Sequence, residues 1–548
     1  MIKLEEQYQR FADRTKCHLL SQKETLWLCF ISVFLWGFLA HGYGLIHNPL
    51  CHDSLNAFIA TQAEELTKAE VGRFFVPIYR AVFRGPVAMS WLIGIMGLLW
   101  TAIALFLVVN VLDFRSKVLT VLTAGIMVTN ITNIAQIATY IHEYDCNAFS
   151  LMLAIFAVYF WHQDKGLLSI AAGGICLMVS IGLYQAFFAV TVVLIVWKSI
   201  MDLLDGNDVR KVFFHGLRGI ATILLGGILY LLAGKLIYHF SGITAQSRTD
   251  VLNMGGHNPI VLFLKLIKPA LVYLFNSIFH VAYSSKIYAI SICAVSGFLA
   301  LSVMHLFRTK KFTLDRILLI LLLVGLVPFA MSCVFFLSKG SGMHDVTRYA
   351  SWFFYIFILS LVFRLCDKDM LSDLKTYALR AAACVLVAVI LWQNVVLANT
   401  AYVKRELEYN AELSTMTRVV AMLEQQEDFN PKESTVAFIG WPSSPPTIHG
   451  MENVNSILGL AYNSPIISDA STFYYNLYKA YFTYVLQYPV NFCSDDVHMK
   501  LKADPSVLAL PVYPAEGCMQ MIDGIFVIKL GSQQPVPDEV DDYAFVVN

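Results

Sequence analysis

Charge is scarce in this 548-residue chain. Asp, Glu, Lys and Arg make up 14% of it, against roughly 25% in soluble globular proteins. That is too little to cover the surface of a soluble protein of this size, so a soluble enzyme is excluded first. The two signs also cancel, 39 against 39, and no basic footprint for nucleic acid is left. The 11 cysteines form no CxxC pair and no zinc-type spacing. Internal repeats, low-complexity tracts and heptads are lacking too. Apolar residues, in contrast, make up 57% of the chain, which excludes disorder. Mean hydropathy is +0.62, and a single soluble core stops growing beyond about 250–300 residues. The class left is an α-helical polytopic membrane protein.

About eighteen apolar residues are needed to cross a bilayer as a helix. Windows at 24–46, 88–112, 118–140, 148–162, 167–183, 186–201, 219–240, 287–307, 316–337, 349–366 and 380–399 meet or approach that length. They predict about eleven transmembrane helices, with the fourth to sixth short for full crossings. Lys3, Arg10, Arg14, Lys16 and Lys23 precede the first span, whose apolar core lies too far along for a cleavable signal peptide. Later basic links (Arg115 and Lys117; Lys198, Arg210, Lys211 and Arg218; Arg308 to Arg316; Arg364 to Arg380) fall on the same face. The positive-inside trend makes that face cytoplasmic. An odd span count then puts the C-terminus outside.

Two domains are expected: a transmembrane body over 1–399 and a small α/β extracytoplasmic domain over 400–548. In the latter, 401–427 reads as an amphipathic helix, 434–440 and 524–530 as strands, and TFYYNLYKAYFTYVLQY between them as a helix. Its Cys493 and Cys518 are either a disulfide on an oxidising face or two buried thiols.

No acid falls at a span centre. Asn130, Asn133 and Gln136 are the polar exceptions in the third span, and interhelical hydrogen bonds are their expected role. The ionisable residues collect instead in the outer loops at 47–87, 141–147, 241–286 and 338–348. The first loop holds His47, His52, Asp53, Glu64, Glu65, Lys68, Glu70, Arg73, Arg80 and Arg84; the second holds His142, Glu143 and Asp145. Tyr184 and Gln185 occupy the turn after the fifth span, and Lys339, His344, Asp345 and Arg348 precede the tenth. Carboxylates that can take a proton from a hydroxyl therefore share a face with guanidinium groups suited to phosphate. Taken singly, Asp53, Asp145 and Asp345 also suit helix N-caps, and the arginines suit snorkelling. Clustering on one face favours a site. The DKD at 367–369 lies in a basic loop on the opposite face and reads as a solvated turn.

HDSLN at 52–56, EVGRFFVPIYR at 70–80, HEYD at 142–145 and LYQAFF at 183–188 resemble the GtrII-type O-antigen glucosyltransferases. The overall plan resembles the GT-C superfamily of polytopic glycosyltransferases. The resemblance covers about residues 20–400 and leaves the tail unmatched. It implies a bacterial inner-membrane enzyme acting on the periplasmic face. The donor would be a polyprenyl-phosphate sugar, namely undecaprenyl-phosphate hexose with glucose expected. The acceptor would be a lipid-linked O-antigen or other surface polysaccharide, as in lipopolysaccharide modification and serotype conversion. Transfer would invert the anomeric centre. Asp53 would be the base, with Glu143 or Asp145 as a second acid, and Asp53 lacks the acidic neighbour many relatives carry. His52, Arg73, Arg80, His142, Tyr184, Gln185, Lys339, His344 and Arg348 would bind substrate. No cofactor is assigned, and a divalent cation is left open. The alternative is a flippase or carrier of a lipid-linked sugar, for which midplane polar groups and related halves are expected. Neither is visible. A non-enzymatic scaffold would leave the loop acids and arginines without a use.

Overall fold

The computed structural model describes residues 22–47, 50–244, 259–279, 286, 289–294, 296–297, 312–337, 345–367, 374–442, 450–451, 454, 465–466, 472–488 and 490–531. The protein is a helical bundle with a small sheet near its C-terminus. In chain order the bundle runs α1 (Lys23–His47), α2 (His52–Asn56), α3 (Gln62–Glu70), α4 (Val76–Phe83), α5 (Ser90–Val111), α6 (Lys117–Thr129) and α7 (Ile131–Thr139). It continues with α8 (Tyr144–Gln163), α9 (Leu167–Leu183), α10 (Phe188–Asp205), α11 (Val209–Ser241), α12 (Pro259–Phe279), α13 (Leu314–Met331), α14 (Cys333–Leu337), α15 (Phe353–Asp367) and α16 (Leu374–Glu424).

Among the described residues, seven helices are long and apolar enough to cross a membrane, and the bent pair α6–α7 makes an eighth. The shorter α9 and most of α15 are apolar as well. Most of the window at 287–307 lies outside the described residues, so the described helices do not reach the count of eleven. The stretch at 241–286, expected as a loop, contains the 21-residue helix α12. Small residues let the spans approach closely: Gly94 lies against Leu45 of α1, and Gly97 against Tyr144 of α8. Leu217, Leu224 and Ile228 on α11, and Leu318 and Leu322 on α13, stay exposed, as lipid-facing positions do.

The third predicted span is broken rather than continuous. It bends by 41° between α6 and α7, where Asn130 leaves the helical region (φ −67°, ψ 157°) and caps α7 by accepting from the Asn133 amide. A break inside a bundle frees carbonyls that need donors. Asn130 Nδ2 donates to Ile126 and Met127, and Asn133 Nδ2 donates to Met127 and Val128. Tyr349 Oη donates to Met127, 2.7 Å away. His41 Nε2 lies 2.9 Å from the Val128 carbonyl, so that nitrogen carries the proton and Nδ1 accepts from Tyr402 Oη at 2.7 Å. Asn130 and Asn133 therefore serve the break itself, in place of the interhelical bonds expected of them.

The predicted boundary at 399/400 falls inside α16, a single helix of 51 residues. At 1.5 Å per residue that is roughly 75 Å, long enough to cross a bilayer and continue beyond it. Its far end enters the core of the tail through Met416, Val419 and Leu423. The tail continues with β1 (Thr435–Ile439), α17 (Thr472–Ala480), a π-helical turn at Tyr481–Leu486, β2 (Asn491–Phe492), α18 (Asp495–Ala503), α19 (Pro505–Ala509), β3 (Met519–Ile522) and β4 (Ile525–Lys529). The sheet order is β2-β1-β4-β3. β1 is parallel to both of its neighbours, and β3 pairs antiparallel with β4. The apolar runs VAFI and FVIK put buried strands at the centre of the sheet. Leu50 and Leu55, which flank Asp53, belong to this same core. Arg405, fully buried on α16, donates to the Ile137 and Ala138 carbonyls at the end of α7. The tail thus grips the first loop.

Cys493 and Cys518 are free and buried, not bridged. Cys493 Sγ lies 3.3 Å from Tyr475 Oη, and Cys518 Sγ lies 3.9 Å from Met422 Sδ. The two sulfurs sit among different neighbours, so the disulfide reading is set aside for two thiols packed as small apolar groups. Alkylating the denatured, unreduced protein is expected to label both residues. Mass spectrometry finding both unmodified until a reductant is added would contradict this.

Candidate functional site

The first loop folds as three short helices, each with a local cause. Cys51 opens α2, with its amide bonded to Ser54 Oγ (2.9 Å) and its thiol donating to the Thr139 carbonyl (3.0 Å). Thr61 caps α3 by accepting from the Glu64 amide. Pro77 occupies the first turn of α4, where its missing N–H costs nothing. Between α3 and α4, Gly72 takes φ +78°, and a Cβ there would collide with Tyr230 Oη. Tyr230 and Tyr238 of α11 donate to the Gly72 and Ala69 carbonyls at 3.2 and 3.0 Å. This turn aims Arg73.

These elements surround a cavity of about 970 Å³. The first loop lines it with Asp53, Asn56, Glu64, Lys68 and Arg73; the α7–α8 junction with Gln136, Tyr140, His142 and Glu143; and the α9–α10 turn with Tyr184 and Gln185. Val346 and Thr347 add a short edge, and Asn476, Lys479, Thr483 and Tyr484 of the tail close the remaining side.

The carboxylates here differ in partner and exposure. Glu143 sits just before α8 with a side chain 4% exposed, bonded to Lys68 Nζ and to Arg73 Nη1 (2.7 Å). Asp145 is fully buried. Arg84 Nε reaches it at 2.8 Å, while the rest of that guanidinium donates to the carbonyls of His142 (2.6 Å) and Val87 (3.0 Å). Glu64 takes Arg80 through two nitrogens, at 2.5 and 3.2 Å, and lies 3.3 Å from Lys68. Asp53 is the exception. Its side chain is 26% exposed, its ion-pair neighbour is His52 Nε2 at 3.2 Å, and no lysine or arginine among the described residues lies within ion-pair distance.

Burial pushes the Asp53 carboxyl up, but the His52 hydrogen bond and the charges of His52, His142 and Lys68 outweigh it and hold the group below its ordinary value. For Glu64, burial also raises; the Arg80 bond and the Lys68 and Arg80 charges again win and lower it. Both are therefore ionised at neutral pH. Lys68, Arg73 and Arg80 oppose Glu64 and Glu143, three cations against two carboxylates, and the ionised Asp53 on the same cavity wall offsets the third. Arg73 stands 4.8 Å over the Tyr184 ring, and its Nε has no hydrogen-bond acceptor.

Of the sequence-predicted residues, Asp53, Arg73, His142, Glu143, Tyr184 and Gln185 come together on the cavity wall. His52 supports Asp53 from behind. Asp145 and Arg80 lie off the wall in their ion pairs. Arg348 is also apart, paired with Asp345 at 3.1 Å and stacked over Tyr273. Arg73 lies in the turn before α4 and reaches Glu143, whereas Arg80, within α4, turns toward Glu64 of α3. Lys339 and His344 lie outside the described residues. Sequence reasoning gave no particular role to Lys68, although its place four residues after Glu64 on one helix face was readable. It had no signal for the tail residues, whose approach to Asp53 is tertiary. Among the described residues no three His, Cys, Asp or Glu side chains gather as metal ligands. The divalent cation left open by the sequence thus finds no ready ligand set there.

A family model described as "Glucosyl transferase GtrII" matches residues 42–365. No curated protein and no solved structure matches the chain.

The Arg84–Asp145 pair is testable on its own. Arg84→Met leaves a buried carboxylate without its cation and is expected to cost about 3–5 kcal/mol. Adding Asp145→Leu removes the orphaned charge and should recover most of that loss. Thermal unfolding in detergent reads both. Equal stability of the single and double variants would show that the pair does not hold the loop.

Proposed function

The chain belongs to the glucosyl transferase GtrII family, and from that premise we propose that it moves glucose from undecaprenyl phosphate to a lipid-linked O-antigen or related surface polysaccharide. The site is of GT-C type and faces the periplasm, where no nucleotide sugar is supplied and an activated sugar has to arrive on a lipid. The membrane is the bacterial inner membrane, with the N-terminus cytoplasmic and the tail periplasmic. Basic links on the opposite face support this orientation.

The observation that carries the reading is the contrast among the wall carboxylates. Glu64 and Glu143 are bound by cations, whereas Asp53 is ionised, partly exposed and, among the described residues, within ion-pair distance of no lysine or arginine. Asp53 is thereby suited to take the proton of an acceptor hydroxyl. The hydroxyl oxygen attacks the anomeric carbon from the face opposite the phosphate and forms the new glycosidic bond. The bond from that carbon to the phosphate oxygen breaks, and its electron pair leaves with the polyprenyl phosphate. One displacement inverts the centre. The leaving phosphate is already a weak base and needs cations rather than an acid, which Arg73 and Lys68 supply. Glu143 orients these two cations. His52, 3.2 Å from Asp53, favours its charged form.

Purified protein with synthetic undecaprenyl-phosphate glucose and a lipid-linked acceptor tests this without any ion gradient. Transfer is expected from the native protein. Asp53→Asn keeps the side-chain size and is expected to lower turnover by about 10²–10⁴-fold. Near-native turnover in folded Asp53→Asn would remove Asp53 as the base. Movement of intact donor across vesicles without transfer would favour a carrier.

A further inference from the structure

The cavity has two walls of different chemistry. One, from the first loop and the α7–α8 junction, bears the ionised groups Asp53, Lys68, Arg73 and Glu143. The other comes from the tail, where α17 runs into its π-helical turn and presents Asn476, Lys479, Thr483 and Tyr484. Among the described residues this second wall carries no carboxylate, and the Lys479 ammonium is bonded to Asp495 at 2.9 Å and stands 5.0 Å over the Tyr475 ring. Thr483 donates its hydroxyl to the Lys479 carbonyl at 2.7 Å, which leaves the oxygen able to accept. Asn476 supplies both a donor and an acceptor. Tyr484 adds a flat apolar face with a polar tip, held against Phe58 at 5.3 Å between ring centroids. Such a mixture does not suit an anion. It suits a neutral, hydroxyl-rich ligand, whose hydroxyls exchange bonds with amide and hydroxyl groups while its C–H faces lie on an aromatic ring.

We propose that the 476–484 segment is the acceptor subsite, and that it binds a neutral sugar residue of the acceptor chain and presents its hydroxyl to Asp53. This rests on the transfer reading above and deepens it. Two further observations support the division. Residues matching the family, 42–365, supply Asp53, Lys68, Arg73 and Glu143, whereas residues 476–484 lie beyond that match. The tail also reaches Asp53 physically, because Leu50 and Leu55 on either side of it are buried in the tail core. Acceptor wall and base are therefore packed on one core.

The test uses the full-length protein in detergent and the repeat-unit oligosaccharide released from the producing organism's surface polysaccharide. Asn476→Ala and Thr483→Val change a half-buried and an exposed side chain of the wall, and circular dichroism and melting check the fold. Two readouts are taken: KM for acceptor and for donor during transfer, and oligosaccharide Kd by calorimetry in an Asp53→Asn background, which needs no turnover. The expected result is a rise of about tenfold in acceptor KM and in Kd, equivalent to ~1.4 kcal/mol, with donor KM within twofold of native. Unchanged Kd and acceptor KM in both folded variants overturns the subsite, even if transfer itself is robust. Absence of transfer by the native protein, with Kd still weakened by the variants, retains the sugar-binding wall and overturns the transfer reading alone.

Discussion

Burying a carboxylate among apolar helices is tolerable only when a cation is buried with it. The start of α8 imposes that condition twice within three residues, at Glu143 and Asp145. Neither finds its cation on a neighbouring span. Both draw it from the first loop, Asp145 from Arg84 and Glu143 from Lys68 and Arg73. A loop of more than thirty residues is thereby tied down at its middle and its end. Arg73 and Arg84 of this loop are explained by the same condition, since they neutralise acids at the start of α8, whereas Arg80 serves Glu64 within the loop. Asp53 falls outside this pairing, and so remains available for chemistry.

The other end of the loop is held by apolar packing. Leu50 and Leu55 enter the core of the tail, and Cys51 bonds to Thr139 at the end of α7. Arg405 of α16 gathers the carbonyls of Ile137 and Ala138 at the same place. One long helix therefore couples the membrane body, the broken span and the tail. The site lies where these three meet, and each contributes a wall or a support. A loop fixed by ion pairs at one end and by a hydrophobic core at the other needs little ordering when a substrate arrives, which lowers the cost of binding.

Much of this was legible in the chain. Apolar runs gave most of the spans, strand patterns gave β1 and β4, and the acids, histidines and arginines of the loops pointed to one face. What the sequence could not provide was pairing. Nothing local distinguishes Arg73, on the cavity wall, from Arg80, committed to Glu64. Seven residues apart, the two would share a face on a continuous helix, but α3 ends before Gly72 with its positive φ, and Arg73 lies in the turn that follows. The break at Asn130 was hidden because the polar residues there, Asn130 and Asn133 among them, fit equally well in an unbroken span bonded to its neighbours; the donors gathered around Met127 and Val128 reveal it. The amphipathic pattern at 401–427 read as a new domain. Composition changes there, while the helix itself does not stop. The tail's share in the cavity depends on a fold in which residues from opposite ends of the chain pack together, and no periodicity encodes that.

The most direct measurement is a cryo-EM structure of the Asp53→Asn protein with undecaprenyl-phosphate glucose bound. The donor phosphate is expected within charge-assisted hydrogen-bond distance, about 2.7–2.9 Å, of Arg73 and Lys68. The free face of the anomeric carbon should be turned toward residue 53 and the tail wall. A phosphate seated instead against Arg348, with residue 53 remote from the anomeric carbon, would contradict the assignment of both walls.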